Sequence, residues 1–174
     1  AKLTSRWLKK IFAEGAADRP YMLTRMPKFG DKNIGHLQEI LEAVDTIEPI
    51  EIPTIDLPAR RVKSEGRMMC GDGVFGCIKC HTFNGERALG VQSIDMTIMT
   101  ERLKHDWFHR YLVYPAGFRP GTRMPTAWPL GRSTLREVLD GNTHQQIEAI
   151  WQYLEDGKSA RAPQGLNREA IVLA

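Results

Sequence analysis

The chain offers little that would hold it in a membrane or on nucleic acid. None of its apolar runs approaches the length that spans a bilayer. The opening AKLTSRWLKK has neither the apolar stretch of a signal peptide nor an initiator Met, so residue 1 reads as a processing boundary. The formal net charge is only +3, and no basic run is interleaved with aromatics, so nucleic acid is not an expected partner. Cysteine is scarce, and a count of three excludes a fully paired disulfide framework. What is present, 42% hydrophobic and 26% charged residues, is the composition of a soluble globular protein.

The apolar spacing predicts an all-α chain. Thr4 to Glu14 reads as a helix: Trp7, Leu8, Ile11 and Phe12 share one face, and Thr4 is placed to cap it. Leu37, Ile40, Leu41, Val44 and Ile47 mark a second amphipathic helix. Glu48 to Arg60 carries Pro49, Pro53 and Pro58 and reads as an extended linker, half-buried through Ile50, Ile52, Ile55 and Leu57. A short helix over Val62–Met69 follows, then a loop to about Thr100. Leu103, Trp107, Phe108, Tyr111 and Leu112 repeat the apolar spacing of the first helix, and Ile147, Ile150, Trp151 and Leu154 predict a terminal helix ending near Gly157.

The two ends of the chain are copies of a half-domain. LTSRWLKKIF aligns with LKHDWFHRYL at an offset of 100, and Arg19-Pro20 aligns with Arg119-Pro120 at the same offset. TRMP occurs at Thr24–Pro27 and again at Thr122–Pro125. The stripe Leu37, Ile40, Leu41, Val44 matches Ile147, Ile150, Trp151, Leu154, so four landmarks recur in one order.

Only the second copy is preceded by a chemical signature, Cys77-Ile78-Lys79-Cys80-His81. Two thiols at this spacing can each add to a vinyl group on one edge of a haem, and the next residue offers its imidazole to the iron. A structural zinc site would need a second ligand pair at similar spacing, and none exists. A redox dithiol would need a βαβ context, and the surroundings read as helical. The second axial position is open to His, Met or no ligand. Met124, in the Pro-bounded loop PGTRMPTAW, is free of a helix core; Met68, Met69, Met96 and Met99 read as core fillers.

From about Glu65 to Gly157 the chain resembles a class I c-type cytochrome. A short helix precedes CIKCH, a Met-Pro pair lies in a late loop, and an aromatic-Leu pair, Tyr153-Leu154, closes the terminal helix. The string RLKHDWFHRYLVYPAGFRPGTRMPTAWP is similar to cytochrome domains of large multidomain bacterial haem-binding or membrane-bound dehydrogenase proteins. The resemblance implies a cytochrome c-like fold over 61–158, with a Met-bearing half-domain lacking haem attachment over 1–48, a linker over 49–60, and a tail or further domain over 159–174. It further implies one covalent haem c on Cys77 and Cys80, and His81 and Met124 on the iron. Electron transfer rather than enzymatic turnover follows, with a dehydrogenase as donor, a terminal acceptor, and a periplasmic or other extracytoplasmic location.

The sequence departs from that pattern twice. Gly66-Arg67-Met68-Met69-Cys70 puts a thiol where an aromatic usually meets Tyr153, and Ile94-Asp95-Met96 replaces the Pro whose carbonyl steadies the proximal imidazole. A backbone carbonyl can still accept from Nδ1 of His81. Arg119 and Arg123 flank the methionine loop and suit haem propionates, and the Trp107 indole N–H is a further donor, although loop solvation and helix-core packing are equal rivals. His105 and His109, four apart, have metal-binding spacing but no third ligand in view, so they read as surface residues. His36 and His144 suggest nothing further. The isolated first copy is expected to be a fragment's remnant, a lobe kept for packing or homodimerisation, or the source of an alternative ligand, Met26. The rival function is a haem enzyme or sensor with an open or labile sixth site.

Overall fold

The computed structural model describes residues 2–19 and 22–166. The apolar run after Leu166, which reads as β-like, lies outside them. Eight α-helices occur among the described residues: α1 (Ser5–Glu14), α2 (Asp31–Ile34), α3 (Leu37–Val44), α4 (Ala59–Cys70), α5 (Met99–Arg102), α6 (His105–Val113), α7 (Pro115–Phe118) and α8 (Thr143–Leu154). Short 3-10 turns join several of them. Among the described residues there is no β-strand, only isolated bridges, so the architecture is all-α.

The centre of the molecule is the crossing of α4 on α8. Val62, Gly66, Met69 and Cys70 form one face of α4, spaced by about one helical turn, and all are buried. The facing stripe of α8, with Ile147, Ile150 and Leu154, is likewise buried, and the helix starts where Asn142 accepts from the Gln145 amide at 3.1 Å. Gly66 is the contact point: a Cβ there would lie 2.1 Å from the carbonyl oxygen of Ala149 and 2.8 Å from Cβ of Tyr153. Only a residue without a side chain lets the two backbones approach so closely. The helix begins at Ala59, earlier than the apolar pattern predicts, because Pro58 supplies a pre-set turn immediately before it. Trp107 and Phe108 of α6 complete the core with Trp128 and Trp151.

The predicted linker is extended, and its alternating Ile50, Ile52, Ile55 and Leu57 are half-buried. Ile55 and Leu57 pack on the core, and Gln145 Nε2 donates to the Thr54 carbonyl at 3.1 Å. After α8, the chain returns over α4: the Asp72 amide donates to Gln164 O at 3.2 Å, and Arg67 Nε to Ala162 O at 2.7 Å.

The repeat offset of 100 reappears as geometry. Leu3 and Leu103 form an antiparallel bridge; the Thr4 amide donates to Arg102 O at 3.0 Å, and the Lys104 amide to Lys2 O at 2.9 Å. These two bonds exchange under the offset, as they do about a local two-fold axis between the copies. α1 then begins at Ser5 and α6 at His105. The copies differ in what covers their second helix. The α8 stripe is buried beneath α4, whereas Ile40, Leu41 and Val44 of α3 are exposed, Val44 at 80%.

Candidate functional site

Cys77 and Cys80 are the two ends of one 3-10 turn. Gly76 opens it in the left-handed region at φ 66°, the Cys80 amide donates to Cys77 O at 3.1 Å, and the His81 amide donates to the same oxygen at 2.9 Å. A left-handed residue at this point suits glycine, and it reverses the chain tightly enough to present both sulfurs. Both thiols are free and half-buried.

His81 is fixed by the loop opposite. Its Nδ1 lies 2.9 Å from the carbonyl oxygen of Ile94. A carbonyl only accepts, so the proton resides on Nδ1 and Nε2 carries the lone pair. Burial pushes the imidazole below its usual range, more than the Ile94 bond and the charge of Asp95 lift it, so the ring is neutral. Nε2 has no protein partner among the described residues. Asp95 holds this loop in place: Oδ1 accepts from the Asn84 and Thr97 amides at 3.1 and 2.8 Å and from the Thr97 hydroxyl at 2.7 Å, and Oδ2 accepts from the Gly85 amide at 2.8 Å. Ile94 therefore supplies the backbone carbonyl that orients His81.

Cys70 is fully buried at the end of α4, and its thiol hydrogen-bonds to Cys77. That bond, with burial, keeps Cys70 protonated well above the ordinary thiol range, while the same bond lowers the pKa of Cys77. Cys70 thus touches the Cys77–Cys80 turn as well as filling the core beside Tyr153, whose hydroxyl donates to Arg161 O at 2.6 Å.

Met124 is half-buried in the irregular segment between α7 and Trp128, and its amide donates to the Thr122 hydroxyl at 3.2 Å. The far side of that segment is anchored by an amide that sequence reasoning overlooks. Gln146 on α8 is fully buried; its Oε1 accepts from Trp128 Nε1 at 2.9 Å and Ser133 Oγ at 2.6 Å, and its Nε2 donates to Leu135 O at 2.7 Å and Val138 O at 2.8 Å. Every donor and acceptor of the amide is used in one fixed arrangement. Met26, its counterpart, is half-buried and tied into a backbone bridge with Ala16, at 3.0 and 3.1 Å.

Of the remaining residues expected at the site, Trp107 is buried and stacked on Tyr111, with ring centroids 4.6 Å apart. The Lys2 ammonium lies 4.6 Å from the Trp107 ring centroid. Burial, then the charges of Arg102, Arg19 and Arg119, push Lys2 down to about 8. Arg119 thus acts on Lys2 through its charge, and the neighbouring Arg102 pairs with Asp18 at 3.2 Å. Arg123 is exposed and makes no ion pair among the described residues.

His105 and His109 do not lie on the surface as a pair. His109 is 1% exposed, and Glu148 of α8 completes the group: its Oε2 is 2.7 Å from His105 Nε2 and 3.3 Å from His109 Nε2. Burial would raise the Glu148 carboxyl, but hydrogen bonds from His105, His109 and Gln152 outweigh it and hold it at about 2. The spacing of α6 does not reveal this third member, because it lies 39 residues beyond His109 in the chain.

The donor chemistry at residues 77–81 fits a covalent haem: two free thiols on one turn, followed by a neutral imidazole with an unengaged Nε2. Comparison with models of known protein families, with curated proteins and with solved structures finds no match to this chain.

Proposed function

We propose that the chain is an electron carrier that holds one haem c through Cys77 and Cys80, with His81 and Met124 as axial ligands. The observation that carries this reading is the His81 Nδ1–Ile94 carbonyl bond of 2.9 Å, which sets the tautomer and leaves Nε2 free beside the two thiols. Haem bound in this way supplies a one-electron iron couple, whose potential a thioether ligand raises. The protein's part is to hold that couple still.

Cys77 and Cys80 tether the group to a single turn. His81 is kept in one orientation by Ile94, and Ile94 in turn by the bonds to Asp95. The Met124 thioether would be the second ligand that holds the iron, which would leave no position for water or substrate and so suits a carrier rather than an enzyme or sensor with an open site. Arg119 and Trp107, with Arg123, are the groups assigned to the haem propionates, because guanidinium and indole N–H donors match carboxylates. The partners of such a carrier are a dehydrogenase as donor and a terminal acceptor. Its compartment is extracytoplasmic, where haem thioethers are installed. Among the described residues no helix is long and apolar enough to cross a membrane.

The test is the ferric optical spectrum of the purified chain beside Met124→Ala and Met26→Ala, watching the weak long-wavelength sulfur-to-iron band. The expected result is a band in the wild type and in Met26→Ala, and its loss in Met124→Ala. A band that survives in Met124→Ala moves the ligand elsewhere. A wild type with covalent haem but no band restores the open-site reading, and a chain without covalent haem ends the proposal.

A further inference from the structure

The helices α6 and α8 carry a second group of donors that haem attachment does not use. We propose that His105, His109 and Glu148 form a binding site for one divalent transition-metal ion of the zinc class, which cross-links α6 to α8. This inference does not rest on the haem reading.

The geometry is that of ligands around one ion. One ligand atom from each of the three side chains lies within 4.8 Å of the others. Zinc–nitrogen and zinc–oxygen bonds of about 2.0–2.1 Å in a tetrahedron put neighbouring ligand atoms roughly 3.3 Å apart. The observed separations from Glu148 Oε2 are 2.7 Å to His105 Nε2 and 3.3 Å to His109 Nε2, so small side-chain shifts would admit an ion. Two imidazoles and one carboxylate select zinc or a neighbouring transition metal, not calcium or magnesium, which take oxygen donors. Three protein ligands leave a fourth position. His144, one turn before Glu148, is a further imidazole close by: its ring centroid is 6.4 Å from that of His109. Water is the other candidate for that position.

The ligands are held from behind. His105 stacks on Trp151 with ring centroids 4.3 Å apart and planes 19° from parallel. The second carboxylate oxygen of Glu148 accepts from Gln152 Nε2 at 2.8 Å, the kind of outer contact that orients a metal-binding carboxylate.

A purely structural cross-link explains less. The equivalent place in the first copy is occupied by Ser5, Lys9, Gln38 and Glu42. There the Ser5 hydroxyl and the Gln38 amide both bond to Glu42, with Gln38 Nε2 at 3.2 Å, and no imidazole is involved. Joining these helices through a hydrogen bond therefore requires no histidine. A hydroxyl and an amide would serve such a bond alone, without the cost of burying the imidazole of His109.

The experiment is equilibrium dialysis of the full chain against zinc chloride after chelator treatment, with zinc and iron counted separately by elemental analysis. Wild type is compared with His105→Gln and Glu148→Gln, and folding is checked by far-ultraviolet circular dichroism. His105 is partly exposed, so its replacement leaves the core intact even if Glu148→Gln disturbs it. The expected result is that wild type retains one more zinc per chain than His105→Gln, and that zinc raises the melting temperature of wild type only. Failure of wild type to bind zinc overturns the proposal. So does zinc that survives His105→Gln with unchanged stoichiometry and affinity, since that ion would be held by the thiols or another group.

Discussion

The carbonyl oxygen of Ile94 lies 2.9 Å from Nδ1 of His81, and the next residue, Asp95, is the acceptor of four hydrogen bonds. The orientation of the imidazole is thus maintained by a carboxylate it does not touch through that oxygen. Burial raises the Asp95 carboxyl, but the bonds from Gly85, Thr97 and Asn84 more than offset it, so its folded pKa lies below 3.8. A lowered folded value means the unfolded chain takes up the proton first as pH falls. The stabilisation is therefore fully present above pH 3.8 and is lost as pH falls through the folded value. Asp95→Asn should destabilise the chain at pH 7 by about 1–2 kcal/mol, the scale of a lost cap with charge-assisted bonds. Denaturant unfolding at pH 7 and pH 3 checks this: the gap between wild type and variant should narrow at the lower pH. An unchanged gap would mean that the ionised form carries no part of the effect.

Some of this site is visible in the sequence because its chemistry is contiguous. Two thiols and an imidazole must lie within five residues to share one turn, so CIKCH can be read without a fold. The repeat is also legible, since an offset of 100 is a property of the string, and it returns as the Leu3–Leu103 bridge. Partners remote in the chain are not legible. Glu148 meets His105 across 43 residues, and nothing in the spacing of either helix announces the meeting. Gln146 reads as a polar helix residue, yet it is fully buried because four loop groups converge on it. The α3 stripe shows the opposite failure. Ile40, Leu41 and Val44 have the period of a core face but are exposed, since periodicity reports amphipathicity and not what covers it.

Gln146 should be the costliest polar residue to replace. Gln146→Leu keeps the volume but strands Trp128 Nε1 and removes the bonds to Ser133 Oγ and to the carbonyls of Leu135 and Val138, which keep only their loop partners. Leaving one buried donor unmatched costs about 1–3 kcal/mol where water cannot reach it, and the other lost bonds add to that, so a total loss of roughly 3 kcal/mol is expected. Urea unfolding measures it, and limited proteolysis should show new cleavage between residues 119 and 142. A variant as stable as wild type would show that water replaces the amide.

The Cys70–Cys77 contact predicts a change in reactivity without a change of charge. Cys70→Ala removes the donor that lowers the Cys77 thiol, so the pKa of Cys77 should rise. Thiolate absorbance of the haem-free chain, followed against pH in a Cys80→Ala background, reports it directly. The titration should move to higher pH when Cys70 is removed, and the haem attachment proposed for the Cys80-containing chain should slow.

Gly66 sets how closely α4 approaches α8. Gly66→Ala improves helix propensity by roughly 1 kcal/mol in a helix interior, and on local grounds alone it should stabilise the chain. The packing argues the other way, because the added Cβ would lie 2.1 Å from the Ala149 carbonyl oxygen, a backbone atom that cannot rotate aside. Relief requires the helices to separate, and overpacking of this kind costs about 1–3 kcal/mol. The clash should win because separation also loosens Met69, Ile147 and Leu154, three side chains at most 1% exposed. Gly66→Ala should therefore be less stable than wild type in thermal unfolding, and a second substitution, Tyr153→Phe, should not rescue it. Equal or higher stability would show that the crossing can widen without loss, and that the close approach is not what fixes the Cys77–Cys80 turn against the core.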